Sequence, residues 1–341
     1  MATIYDIANL CRTSIATVSY VLNGRGDEHR ISKATQEKVL SVAESLNYRP
    51  NTSAKRLSSD SAHQLSIALF WPNYYFEQAL ISALRAVNEV TKLFSEPAEI
   101  NLQFYEPDTL VEKQNILSSQ LYNGIIIAGA SNADLQFLAQ PLGPVPTVLL
   151  NRRVEEYPYV TIDHAAAGRL ACDIVASCSP ESVATIWERQ YHVATNTRRD
   201  AFLKRWDELG LGAENNQYFC AADAEAGYSL GIKLIQKRQV PQAIFCNQEE
   251  IARGLLAALV EFGVAVGTDT YLLTTNTGPD SLSRFTSPSM TTIDLRMQAV
   301  AAETLKLCFN LISRRADPKT HMVIQPEVTF RDSFPELAQR I

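Results

Sequence analysis

Residues 3–24, TIYDIANLCRTSIATVSYVLNG, decide how the first part of the chain folds. Apolar side chains recur at helical spacing in two segments, Ile4–Cys11 and Ser14–Leu22, with only two residues between them. The pattern predicts two short helices that each bury one face, and the hydroxyl of Thr13 or Ser14 can cap the second helix by accepting a backbone N–H bond. Two helices joined by so short a turn form a helix-turn-helix, whose second helix faces the DNA major groove.

Three motifs follow one another in the first 57 residues. They are Thr3-Ile4-x-Asp6-Ile7-Ala8, Ser14-x-x-Thr17-Val18-Ser19-x-Val21-Leu22-Asn23-Gly24 and Leu46-Asn47-Tyr48-x-Pro50-Asn51-x-x-Ala54-x-x-Leu57. Their order and spacing resemble those of the lactose-repressor (LacI/GalR) family of bacterial regulators. One departure is the loop Arg25–Arg30, which is longer than the commonest family pattern. A third helix is predicted from Ser32 to about Leu46.

The resemblance implies an N-terminal all-α helix-turn-helix domain with a hinge helix, followed by an α/β periplasmic-binding-protein-like (type I) body of two doubly wound subdomains. We expect the DNA-binding domain at residues 1–50, the hinge helix and linker at 51–61, and the effector-binding and dimerisation body at 62–341. The N-subdomain would comprise about 62–162 plus 290–319, and the C-subdomain about 163–289 plus 320–341. The chain would then cross between them near Asp163, Pro288 and Thr320.

In the body, near-continuous apolar runs alternate with helical segments, a pattern typical of parallel sheets covered on both faces. Eight strands are predicted, at Leu65–Trp71, Ile100–Tyr105, Gly124–Gly129, Thr147–Leu150, Val183–Trp187, Tyr218–Ala221, Ala243–Cys246 and Tyr271–Thr274. Eight helices are predicted, at Glu77–Leu93, Leu110–Leu121, Ala133–Gln140, Ala165–Ala176, Asn196–Leu209, Ala224–Gln236, Glu249–Phe262 and Leu295–Ile312. A ligand cleft is expected at the carboxyl ends of the strands.

The resemblance implies contacts with operator DNA from all three motifs and the loop. The residues concerned are Thr3, Tyr5, Ser14, Ile15, Ala16, Thr17, Ser19, Tyr20, Asn23, Arg30, Asn51, Ala54 and Leu57. Ile15 and Ala16 can contact a thymine methyl group but cannot hydrogen-bond to a base edge, whereas Tyr20, where many members carry Arg, offers one hydroxyl. Leu57 matches the family leucine that wedges between base pairs in the minor groove, where two hinge helices pair.

Charge is distributed unequally along the chain, which has a net charge of −6. Residues 1–60 contain eight Lys/Arg and six Asp/Glu, a net charge of +2, so the remainder holds 23 basic and 31 acidic residues, a net charge of −8. This asymmetry favours DNA contact through the N-terminal part only.

Other classes of function lack their sequence signatures. The six cysteines and five histidines do not have the spacing of a metal site, and no P-loop, GxSxG or HExxH motif occurs. We therefore expect no catalytic residue, no metal and no cofactor. The apolar runs are far shorter than a membrane span and the N-terminus has no signal pattern, so we expect a cytoplasmic protein without membrane contact.

The resemblance places an effector pocket at Tyr74, Tyr75, Phe76, Asn151, Arg198, Glu249 and Asn276. Arg198 stands where family members use an Arg to bind sugar hydroxyls or a carboxylate, and a guanidinium offers a fixed fork of donors. A surface arginine on a helix face is the alternative, as is core packing for the three aromatic residues. Glu249 stands where an Asp is usual and Asn276 replaces another Asp, so a less typical sugar, a nucleoside or a partner protein are alternatives to a common carbohydrate.

These features predict a homodimeric, sequence-specific transcriptional repressor of a pseudo-palindromic double-stranded DNA operator. Its affinity for the operator would be controlled allosterically by a small molecule, a sugar or sugar derivative, bound in the cleft. A dimer is expected because two DNA half-sites need two copies, and the tail after Phe330 has no heptads for a tetramerising coiled coil. The alternative is a ligand or protein-partner sensor that binds DNA weakly and without specificity.

Overall fold

A computed structural model describes residues 4–22, 26–46, 65–73, 77–94, 97–118, 121–140, 142–189, 193–211, 214–277 and 282–335. The chain divides into two compact units, which are described separately. The first unit is N-terminal and the second, the body, begins at Leu65. The predicted hinge helix lies outside the described residues.

The N-terminal unit contains three helices around one apolar core: α1 (Ile4–Cys11), α2 (Ile15–Leu22) and α3 (Lys33–Ser45). Each helix contributes fully buried side chains, namely Ile7, Val18 and Val39. The Ser14 hydroxyl accepts a hydrogen bond from the backbone N–H of Thr17 at 3.1 Å, so Ser14 caps α2. The predicted helix-turn-helix and third helix are confirmed.

The body contains two six-stranded sheets, one in each subdomain. The first sheet has the order β11-β5-β4-β3-β1-β2 and is formed by β1 (Leu65–Pro72), β2 (Ala98–Tyr105), β3 (Gly124–Ala128), β4 (Thr147–Leu150), β5 (Tyr159–Ile162) and β11 (His321–Ile324). The second has the order β12-β10-β9-β8-β6-β7 and is formed by β6 (Ser182–Glu188), β7 (Glu214–Cys220), β8 (Ala243–Cys246), β9 (Tyr271–Asn276), β10 (Thr291–Asp294) and β12 (Glu327–Thr329). All strand pairs are parallel except that of β10 with β12.

The body's helices lie between the strands along the chain. They are α4 (Glu77–Val90), α5 (Gln114–Leu117), α6 (Asn132–Leu138), α7 (His164–Ser177), α8 (Val193–Glu208), α9 (Ala224–Gln236), α10 (Glu249–Glu261) and α11 (Met297–Ile312). Short 3-10 turns occupy Thr91–Leu93, Leu110–Lys113 and Leu282–Phe285. Central strands such as β3 are buried along their whole length, so they need helices on both faces. Among the residues described, no helix is both long and apolar enough to cross a membrane.

Two glycines set how closely α9 and α10 pack. A Cβ atom added to Gly254 would lie 1.7 Å from the carbonyl oxygen of Ala224, and one added to Gly227 would lie 2.1 Å from the carbonyl oxygen of Ile251. Both positions therefore accept only glycine without a shift of backbone.

The structure corrects the predicted strands and crossing points. It adds β5, β10, β11 and β12 to the eight strands, and the predicted helix Leu110–Leu121 is a 3-10 turn followed by the short α5. Because β10 lies in the second sheet and β11 in the first, the chain returns to the first subdomain after Asp294, not near Pro288. It leaves again after Ile324, not near Thr320. Strand pairing determines both crossings, since β10 pairs with β9 and β11 with β5.

Candidate functional site

The N-terminal cap and outward face of α2 contain side chains that the sequence assigns to DNA contacts. Ser14, Ile15 and Ala16 are exposed, and Thr17, Ser19 and Tyr20 are partly exposed. Tyr5 and Arg30 are also exposed. The remaining predicted contacts, Thr3, Asn23, Asn51, Ala54 and Leu57, lie outside the described residues.

In the body, a small cavity lies at the carboxyl ends of both sheets. Asn151 directly follows β4, and Asn276 ends β9, so the two subdomains each supply part of the lining. Of the predicted pocket residues, Asn151, Arg198, Glu249 and Asn276 line this cavity, while Tyr74, Tyr75 and Phe76 lie outside the described residues.

The cavity is narrow. Its volume is about 60 Å³, whereas ligand clefts typically measure ~300–1,000 Å³. A second cavity of about 180 Å³ shares Asn151, Arg152 and His164 with the first. A ligand that fills the cleft must therefore widen it, and these three residues are reachable from both cavities.

Arg198 is the centre of a buried hydrogen-bond network. Its side chain is 4% exposed, so the alternative of a surface arginine is wrong. Nε donates to Oδ1 of Asn247 at 2.7 Å, and Nη1 donates to Nδ1 of His164 at 2.9 Å. Nη2 donates to the hydroxyl of Thr195 at 3.3 Å. The partners come from α7, α8 and the end of β8, so Arg198 joins three elements.

His164 has a defined tautomer. A guanidinium can only donate, so Nδ1 of His164 accepts from Arg198 and the ring proton is on Nε2. That N–H donates to Oδ1 of Asn151, 2.9 Å away. Burial, reinforced by the positive charges of Arg198, Arg152 and Arg153, holds the pKa of His164 well below its ordinary value. The imidazole is therefore neutral.

A buried carboxylate completes the network. Glu188 is 3% exposed, and it accepts hydrogen bonds from the hydroxyl of Thr195 and from Nε2 of Gln248, the latter at 2.6 Å. Because Thr195 also accepts from Arg198, one hydroxyl separates the negative charge of Glu188 from the guanidinium. Such linked polar groups hold one another in fixed orientations.

Glu249 lines the cavity and also forms hydrogen bonds with Ser283. Its Oε1 accepts from the backbone N–H of Ser283 at 2.8 Å and from the Ser283 hydroxyl at 2.7 Å. Glu249 therefore holds the 3-10 turn Leu282–Phe285 against the start of α10. Asn276 is buried at the end of the neighbouring β9.

Sequence reasoning missed His164, Thr195, Asn247 and Glu188. Each lies at or just beyond the carboxyl end of a strand, or within the first turn of the helix that follows. In parallel sheets that is where ligands bind, so position relative to a buried strand was the available signal.

Comparisons with known proteins agree with this architecture. Residues 3–51 match the model of the lacI family of bacterial regulatory proteins, and residues 181–334 match the periplasmic binding protein-like domain. The transcriptional repressor PurR of Haemophilus influenzae is 24% identical, with 99% of this chain and 100% of that protein covered. The transcriptional regulator GalS of Salmonella typhimurium is 23% identical, with 98% and 96% covered.

Solved structures share the fold. The lac repressor dimer bound to operator and the anti-inducer ONPF has a TM-score of 0.70 at 19% identity, with 98% of this chain and 99% of that chain covered. A LacI family transcription regulator from Clostridium acetobutylicum has a TM-score of 0.73 at 22% identity, with 78% and 99% covered. The helix-turn-helix and two-sheet body define a DNA-binding regulator with a periplasmic-binding-protein-like body. The chain belongs to the LacI/GalR family of bacterial transcriptional regulators, which are not enzymes.

Proposed function

We propose that this chain is a cytoplasmic, homodimeric repressor whose affinity for a pseudo-palindromic operator is controlled by a small polar molecule bound at Arg198. The observation that carries the proposal is the buried chain Asn151–His164–Arg198–Asn247, whose first three members come from both subdomains and line one cavity. Buried, pre-oriented donors and acceptors suit a ligand rich in hydroxyl or carboxylate groups.

A carbohydrate or carbohydrate derivative is the proposed ligand class. Among the structural neighbours is a complex of the regulator CelR with cellobiose, at a TM-score of 0.66. A ligand that widens the cleft changes the relation between the subdomains, and operator affinity then changes by linkage. Leu57, in the predicted hinge, is proposed to act at the DNA end of this coupling.

The test is a thermal-shift screen of the full chain against sugars, sugar acids, sugar phosphates and nucleosides. A ligand that binds only the folded state raises the melting temperature. We expect a hit that disappears in Arg198→Ala and persists in Lys204→Ala, an exposed position on the same helix. If no compound raises the melting temperature of the wild type, the proposal that one of these small molecules controls the repressor is wrong.

The second half of the test uses DNA. The full chain is incubated with fragments of its own genome at fixed salt, with and without the hit, and bound fragments are sequenced. Enrichment of defined palindromic sites that the ligand changes supports the proposal. Uniform recovery of all fragments would instead support the weak, non-specific alternative.

A further inference from the structure

We infer that His29 positions Tyr20 to read a base, so that the loop of residues 26–30 determines part of the DNA specificity. The inference rests on the proposed operator binding and concerns how one side chain of α2 is oriented for it. It is carried by the contacts of the loop Gly26–Arg30.

The loop is anchored to α3. The carboxylate of Asp27 accepts from Nζ of Lys33 and from Nε2 of Gln36, each at 2.8 Å. Gln36 also donates to the carbonyl of Ile31 at 2.8 Å, and the backbone N–H of Ile31 closes the loop on the carbonyl of Gly26 at 2.9 Å. These bonds fix the loop although its side chains are exposed.

The anchor leaves little room beside Gly26. A Cβ atom added there would lie 2.5 Å from the Gln36 side chain. The same glutamine therefore packs against the first residue of the loop and bonds to the second, Asp27. The end of the loop, including His29, is thus held in a defined place relative to the helices.

From this loop, the ring of His29 stacks on the ring of Tyr20. The ring centroids are 3.5 Å apart and the planes differ by 14°. Tyr20 points away from the core residue Val18, since two residues along a helix correspond to about 200° of rotation. A tyrosine on the outer face of a helix would otherwise sample several side-chain rotamers. The stack restricts that freedom before DNA arrives.

Restriction matters because Tyr20 has a single hydroxyl with which to distinguish bases. A freely rotating hydroxyl finds a partner on many base edges, whereas a fixed one bonds well with few. Pre-orienting one side chain is worth about two- to tenfold in binding. His29 is therefore a positioning residue, acting through Tyr20 on base preference.

The experiment selects randomised duplex half-sites with the full chain at fixed salt and sequences the bound pool. It compares the wild type with Tyr20→Phe, His29→Ala and His29→Phe. Tyr20→Phe marks the base pair that the hydroxyl reads. We expect His29→Ala to reduce preference at that same base pair about two- to tenfold, and His29→Phe, which keeps a stacked ring, to retain it.

Three results would overturn this inference and leave the proposed operator binding intact. The first is a base preference in His29→Ala equal to that of the wild type, and the second is a uniform loss of affinity across all sequences, which marks a phosphate contact. The third is a base preference lost equally in His29→Phe and His29→Ala, since stacking would then be irrelevant. If the wild type enriches no sequence, the proposed operator binding fails together with this inference.

Discussion

Nη1 of Arg198 lies 2.9 Å from Nδ1 of His164, and this hydrogen bond determines which ring nitrogen of His164 carries the proton. It directs the Nε2 proton of His164 at Asn151, whose backbone is in the left-handed region with φ +56°. Arg198 therefore donates to His164 within the second subdomain, and His164 donates to Asn151 in the first. Removing either partner takes this hydrogen bond away from a buried polar group.

Arg198→Ala should lower the free energy of unfolding by about 2–4 kcal/mol, because it strips buried His164 and Asn247 of their donor. Denaturant unfolding of the full chain measures this. Lys204→Ala, on the exposed side of the same helix, should stay within about 0.5 kcal/mol of the wild type. Equal effects of the two substitutions would contradict the buried network.

Stability should fall in acid partly because of His164. The folded-state pKa of His164 is depressed, so below about pH 6.5 the unfolded chain takes up a proton that the folded chain refuses. The contribution is intact above that pH and is lost at about 1.4 kcal/mol per pH unit below it. Unfolding at pH 7.5 and 5.5 should show a steeper loss for the wild type than for His164→Gln. Parallel losses would mean that His164 titrates normally.

Gly254→Ala should destabilise the body by about 1–3 kcal/mol, although alanine is the better helix former, because the added carbon meets the Ala224 carbonyl. Ala257→Ser adds one atom to an exposed position of the same helix and serves as the control. Calorimetric melting of both variants measures the difference. A Gly254→Ala variant as stable as the control would refute the close approach of α9 and α10.

Ser333→Ala should cost about 1–3 kcal/mol. The buried Ser333 hydroxyl accepts from the N–H of Thr291 at 2.9 Å and donates to the carbonyl of Leu272 at 2.6 Å, so it joins β9 to β10. Both backbone groups lose that partner in the variant. Ser313→Ala, at an exposed position after α11, should be nearly neutral, and denaturation midpoints compare the two. No difference between them would contradict this role.

The sequence was sufficient to predict the helices and strands that have a clear apolar pattern. The first two helices and the central strands were predicted within one or two residues. One-sided burial gives the helices a regular apolar period, and burial on both faces gives the strands near-continuous apolar runs. β10 was missed because its buried residues include two threonines, and β11 because three of its four residues are exposed. Pairing with distant strands, not local composition, forms these strands, so the crossing points were displaced as well.

The candidate site divides in the same way. Arg198 and Asn151 were found by resemblance to family motifs, and both line the cavity. His164 and Asn247 belong to no periodic pattern. They lie 34 and 49 residues from Arg198 along the chain, yet both contact it in the folded body. Contacts of that range follow from the packing of α7, α8 and β8 within the second subdomain, which single residue types do not reveal.

The position of β11 and β12 has a consequence for how the protein is made. β11 completes the first sheet and β12 the second, yet they are separated by only two residues along the chain. A ribosome makes the chain from its N-terminus, so both sheets stay one edge strand short until residues 321–329 have been made. The two subdomains therefore receive their last strands nearly together, and a nascent chain stalled before residue 321 can complete neither.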